Sequence, residues 1–80
     1  MENEKVEELI SAGMPGAEVK VTGDGRHFEA SVISAEFEGK SLLQRHRMVM
    51  DTVKEQIASD ELHALSIKAF TPEQWAAKAD

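Results

Sequence analysis

Three histidines, His27, His46 and His63, are the side chains best suited to coordination chemistry, and no cysteine accompanies them. Lacking cysteine, the chain has no disulfide, thiolate nucleophile or sulfur-bound zinc, and cannot hold an iron–sulfur cluster with its own thiolates. A second cluster runs from Lys40 to Arg47, where three cations and His46 stand together with no acid. It suits contact with a phosphate backbone or an acidic partner surface. Cations in the first turn of a helix oppose its dipole by about 0.3–1 kcal/mol, which favours a functional reason for them. No nucleophile–base pair or paired-carboxylate cleft stands out, so catalysis is not expected.

The elements that would position these residues can be read from apolar spacing. Val6, Leu9 and Ile10 predict a helix over about residues 2–12. Gly13-Met14-Pro15-Gly16 ends it, since glycine suits the position after a helix and proline cannot continue the ladder. Val19 and Val21, then Phe28, Ala30 and Val32, alternate with polar residues around Gly23-Asp24-Gly25, which predicts a β-hairpin. Ser41 with Gln44 is a capping-box pattern opening a helix of about 16 residues with a kink, whose face carries Leu42, His46, Val49, Met50, Val53 and Ile57. Arg45 and Arg47 are expected to point away from that face, with Lys40, and His46 to be buried or capping. Residues 63–69 alternate as a third strand. Thr71-Pro72-Glu73-Gln74 then opens a short helix carrying Trp75, an anchor for the core or an interface.

The order α-β-β-α-β-α predicts an α+β domain, a three-stranded mixed sheet with helices on one face. The hairpin makes strands one and two antiparallel, and the helical connection makes strands two and three parallel. Glu18, Lys20, Thr22, Glu29, Ser31, Ser66 and Lys68 would line the open, solvated face. His27 and His63 begin the two parallel strands, about 4.8 Å apart if these are neighbours, so two imidazoles could reach one metal pair. Parity opposes this, because His27 alternates with Phe28 whereas His63 shares the side of Leu65 and Ile67. His27 is therefore either a ligand or a solvated turn residue.

Eighty residues allow one small domain spanning 1–80, with about 60% of the unfolded surface buried and no spare lobe for an elaborate active site. Hydrophobic residues at 41% and charged residues at 30% fit a soluble globular chain. The net charge of −6 argues against sequence-blind nucleic-acid binding over the whole surface. No apolar run approaches the roughly 18 residues of a membrane span, and the acidic N-terminus is unlike a signal peptide, so a cytoplasmic location is expected.

The stretch Phe37-Glu38-Gly39-Lys40-Ser41-Leu42-Leu43-Gln44-Arg45-His46-Arg47-Met48-Val49 resembles the BolA-like family, in which a strand leads through F-x-G to an R-H-R helix start. Gly25-Arg26-His27-Phe28, Ile33-Ser34-Ala35-Glu36-Phe37 and His63-Ala64-Leu65-Ser66-Ile67-Lys68 running into Thr71-Pro72-Glu73-Gln74-Trp75 agree in order and spacing, over about residues 5–76. The resemblance implies a fold akin to the type II K-homology domain. It also implies partnership with a monothiol glutaredoxin and a [2Fe–2S] cluster shared between the two proteins. On the glutaredoxin side, its cysteine and a glutathione thiolate would hold the cluster.

The family's ligand from the start of the last strand maps onto His63. Imidazole ligation raises the potential of such a cluster relative to all-thiolate sites. Without the resemblance, His63 reads as a half-exposed strand-end residue packed on Leu62 and Leu65. A second family ligand, cysteine or histidine, comes from the hairpin region, where His27 is the candidate. The resemblance also attaches to a DNA-binding regulator, whose footprint here would be Lys40, Arg45 and Arg47. Gly13-Met14-Pro15-Gly16 has G-x-x-G spacing but not the position of a K-homology clamp, which lies between two helices. The free protein is expected to be a monomer or weak homodimer.

Overall fold

The computed structural model describes residues 1–78, so the last two residues of the expected 1–80 domain lie outside the described residues. Helix α1 spans Asn3–Gly13 and buries Val6 and Ile10 completely. Strands β1 (Glu18–Gly23) and β2 (His27–Ile33) form the antiparallel hairpin, and β3 (Ala64–Phe70) adds parallel to β2, giving the order β1-β2-β3. The expected α+β fold with its mixed three-stranded sheet is therefore present. Val21, Phe28, Ala30 and Val32 turn inward, joined by the partly buried Leu65, Ile67 and Ala69. Glu7 fastens α1 to the edge strand, its Oε2 accepting a hydrogen bond from the Val21 amide at 2.9 Å.

Both glycines of the hairpin turn have a physical reason to be there. Gly25 adopts φ +96°, in the left-handed region that glycine enters without a Cβ clash. A Cβ on Gly23 would collide with the His27 carbonyl, to which the Asp24 amide donates at 3.3 Å. After β2, a 3₁₀ turn at Ala35–Phe37 drives Phe37 fully into the core, a burial worth about 1.5–3 kcal/mol.

The long helix divides into α2 (Leu42–Thr52) and α3 (Lys54–Ala58), with the break at Val53, where φ and ψ are −124° and 15°. Thr52 contributes to the bend, because its Oγ1 donates back to the Val49 carbonyl at 2.6 Å. The predicted capping box is present, with Ser41 Oγ accepting from the Gln44 amide and Gln44 Oε1 from the Ser41 amide.

The buried face of α2 differs from the sequence expectation. Val49 and Val53 are fully buried, but their companion in the first turn is Arg45, not Leu42 or His46. Leu42 is 75% exposed, and His46 lies on the surface instead of being buried or capping. Hydropathy alone selects the wrong first-turn residue because the long aliphatic stem of arginine packs inward while its guanidinium finds acceptors.

Helix α4 (Pro72–Lys78) starts behind a second reciprocal pair, Gln74 amide to Thr71 Oγ1 at 3.2 Å and Thr71 amide to Gln74 Oε1 at 3.0 Å. Its Trp75 stacks on Phe70, with ring centroids 5.3 Å apart and planes tilted by 57°. Phe70 alternates with core-facing Ala69, so this aromatic pair lies on the open side of the sheet. There, Glu18, Lys20, Ser31, Ile33 and Trp75 line a shallow depression. Near the ends of β2 and β3, the open face is thus partly apolar, not polar throughout.

Candidate functional site

The candidate residues fall at opposite ends of the parallel pair β2–β3, which is about 20 Å long at the rise of a seven-residue strand. His27 is the first residue of β2 and pairs in register with Ala64, the first of β3. His63 immediately precedes Ala64. The fold therefore brings the backbones of the two histidines to one end of the sheet, on neighbouring strands, and leaves both side chains exposed. His27 keeps the open-face parity, since it alternates with buried Phe28. His63 stands just outside the pleat of β3, so it does not follow Leu65 into the core.

What precedes His63 holds it in place. Leu62 is buried to 1% exposure, and its amide donates to the Gln56 carbonyl at 3.0 Å. The connection from α3 turns at Asp60, whose φ of 65° is left-handed, a conformation aspartate tolerates better than most residues. An anchored leucine on one side and the ladder of β3 on the other leave little backbone freedom at His63.

His27 has a different support. Asp24 Oδ1 accepts hydrogen bonds from the amides of Arg26 and His27, both at 2.9 Å, while Oδ2 lies 3.9 Å from His27 Nδ1. These contacts hold the Asp24 carboxyl below its ordinary pKa: chiefly the His27 amide, then the Arg26 amide, then attraction to the His27 ring. Asp24, His27, Thr22, Glu29 and Ser66 border a depression of about 310 Å³. On the open face Glu29 is engaged by Lys68, Oε1 to Nζ 2.8 Å. Among the described residues, no three His, Cys, Asp or Glu side chains converge as a metal site.

The basic cluster is dispersed by folding. Arg45, expected to point outward, is only 7% exposed, a correction to its place in a nucleic-acid footprint. Its Nε donates to the Lys40 carbonyl at 3.1 Å, and its Nη1 to the Ala69 carbonyl at 3.4 Å and Gln74 Oε1 at 2.8 Å. The guanidinium carbon also lies 5.8 Å from the centroid of the Phe37 ring. The side chain joins α2, β3 and α4, with Nε and Nη1 committed to acceptors inside the fold. Lys40 and Arg47 remain exposed, beside Leu42 and Leu43.

Sequence reasoning missed Asp24 and Gln74. The signal for Asp24 was available, because an aspartate in a tight turn commonly accepts from the backbone amide two residues on. Gln74 was read as a cap, but its second role, accepting from Arg45, joins residues 29 positions apart and leaves no local trace.

A family model described as BolA-like protein matches residues 8–74. The chain is 37% identical over 76 residues to the acid stress protein IbaG of Escherichia coli, covering 95% of this chain and 90% of that protein. It is also similar to the structure of a BolA protein homologue from Coxiella burnetii, with a TM-score of 0.87, 36% identity, and coverage of 95% and 97% of the two chains. The solution structure of yeast Fra2 aligns with a TM-score of 0.76 and 36% identity, covering 95% of this chain and 85% of that one.

Proposed function

This chain belongs to the BolA-like family, and on that footing we propose that it is an adaptor which binds a monothiol glutaredoxin and co-ligates a [2Fe–2S] cluster. His63 is the principal ligand and His27 the second, and the cluster is cargo for trafficking or iron-status signalling. The observation that carries this reading is the placement of two exposed imidazoles on adjacent parallel strands, at one end of the sheet, with no third donor converging on them among the described residues. Such a pair completes a coordination sphere that another molecule has begun. When bound, the cluster supplies iron sites whose lability and potential respond to exchanging a thiolate for imidazole.

This chain's contribution is to present the donors. His63 is held between Leu62, which is buried, and the start of β3, so it meets a partner with its backbone already ordered. His27 is fixed by the Asp24 turn. Ordering paid in advance lowers the entropic cost of forming the shared site.

The test is visible absorption and circular dichroism of the protein mixed with a monothiol glutaredoxin, glutathione, iron and sulfide. A spectrum distinct from that of the glutaredoxin homodimer, and lost in His63→Ala, is the expected result. A spectrum identical to the homodimer's would overturn it. A DNA-binding role has less support: Arg45 is committed inside the fold, exposed Lys40 and Arg47 sit beside two exposed leucines, and the net charge is −6. Among the described residues no helix is long and apolar enough to cross a membrane.

A further inference from the structure

The two oxygens of Asp24 face different groups, and this division points to a role beyond the turn. Resting on the reading that His27 co-ligates the shared cluster, we propose that Asp24 is a positioning residue for His27: one oxygen builds the turn, and the other orients the imidazole so that Nε2 is the nitrogen left free to bind iron.

Oδ1 accepts from the amides of Arg26 and His27 at 2.9 Å. The same residue thus supplies both the amide that fixes the carboxylate and the ring the carboxylate faces. Oδ2 lies 3.9 Å from Nδ1, beyond a direct hydrogen bond but close enough for an acceptor to bias the ring. An acceptor opposite Nδ1 favours the tautomer with a proton on Nδ1 and a lone pair on Nε2. Metal-bound histidines commonly use this arrangement, with a carboxylate on the distal nitrogen fixing ring orientation and raising ligand basicity. Glu29, the other carboxylate bordering the depression, is already paired with Lys68 at 2.8 Å. Asp24 is therefore the acid available to this ring. His63 has no corresponding carboxylate partner among the described contacts, so the two ligands would differ in how firmly their rings are held.

Asp24→Asn separates the two jobs. It keeps an oxygen for the Arg26 and His27 amides and replaces Oδ2 with an NH₂ donor, which cannot accept from Nδ1. Asp24→Ser is a second variant that keeps one turn acceptor and has no second oxygen. Nitrogen-15 NMR of the histidine rings in the free chain, at a pH where they are neutral, reads the tautomers directly. The wild-type protein should show His27 protonated at Nδ1, and both variants should shift it towards Nε2–H. Amide exchange at Arg26 and His27 should stay slow, and His46 and His63 should not change. The same His27 tautomer in all three proteins would overturn the proposal.

In the cluster complex, Asp24→Asn should weaken cluster retention about tenfold, the lower end of the ~10–100-fold range for outer-shell changes. If His27→Ala leaves the visible circular dichroism unchanged, the ligand reading falls and the proposal falls with it. If His27→Ala changes the spectrum while Asp24→Asn matches wild type in tautomer and retention, only the Asp24 assignment is overturned.

Discussion

Where β2 and β3 finish, a charged side chain is drawn inward and bound to the fold through Nε and Nη1. Where the same strands begin, the ionisable side chains are left outside. Arg45 at the first end touches α2, β3, α4 and the Phe37 ring, at 7% exposure. His27 and His63 at the second end are exposed, and the hydrogen bonds around them go to their backbones and neighbours. One end spends polar chemistry on holding the fold together; the other keeps it available. The contrast teaches that sequence proximity to a basic run says little about function, because folding decides which charges remain free. A site that must take ligands from another molecule needs exposed donors on an ordered backbone, which is what the histidine end provides.

The sharpest way to break this comparison is Arg45→Ala. Removing a buried, charge-assisted hub leaves the Ala69 carbonyl and Gln74 Oε1 short of a donor, at a cost of about 2–4 kcal/mol. In a domain of this size that lowers Tm by roughly 10–25 °C. Arg45→Lys should recover only part of the loss, since one ammonium cannot reproduce the planar fork. Thermal and urea unfolding read both variants. A drop of less than about 0.5 kcal/mol, the usual surface value, would return Arg45 to the class of free cations and reopen its role in a nucleic-acid footprint.

Next in size is Ser41→Ala, which removes one half of the capping box at the start of α2. The expected loss is about 1 kcal/mol, without change in the cluster spectrum, because the cap lies at the Arg45 end. A cluster defect of similar size to that of His63→Ala would show that the two ends are not independent. Smaller again are His63→Ala and His27→Ala in the free protein. As exposed positions with no side chain packed in the core, each should shift unfolding free energy by no more than about 0.5 kcal/mol. A larger loss would make these histidines structural, and the comparison would lose its functional half.

How far the sequence could be read follows the same division. The element order, the hairpin with its G-D-G turn, both capping patterns and the parallel pairing of β2 with β3 were legible, because each depends on neighbours within a few residues or on a two- or four-residue period. The inward turn of Arg45 was not. Its acceptors at Ala69 and Gln74 are 24 and 29 residues away, and a periodicity that scores leucine as apolar and arginine as polar gives Leu42 the buried place. Trp75 was read as an anchor, but the side of the sheet it takes depends on Phe70, which lies one residue beyond the expected end of the third strand. Reading the histidine end as two strand starts was possible from topology. Which nitrogen His27 offers depends on Asp24, and so on turn geometry.

The smallest expected effect concerns the acid side of the stability curve, and it tests whether the Asp24 turn is an electrostatic feature of the histidine end. Its carboxyl is held below the ordinary value by the His27 and Arg26 amides and by attraction to the His27 ring, so the ionised form is favoured in the folded state. A carboxyl lowered in this way contributes its stability in full above the unfolded pKa of about 3.9, and loses it as pH falls through the lowered folded value. Asp24→Asn keeps an uncharged acceptor for the turn and has nothing to titrate. At neutral pH the variant should therefore be slightly less stable than wild type, and the gap should narrow as pH drops below about 4. Urea unfolding midpoints taken from near neutrality into acid would show the two curves converging. Parallel curves would mean that the turn is held by its geometry alone. Asp24 would then resemble the neutral Ser41 cap at the other end.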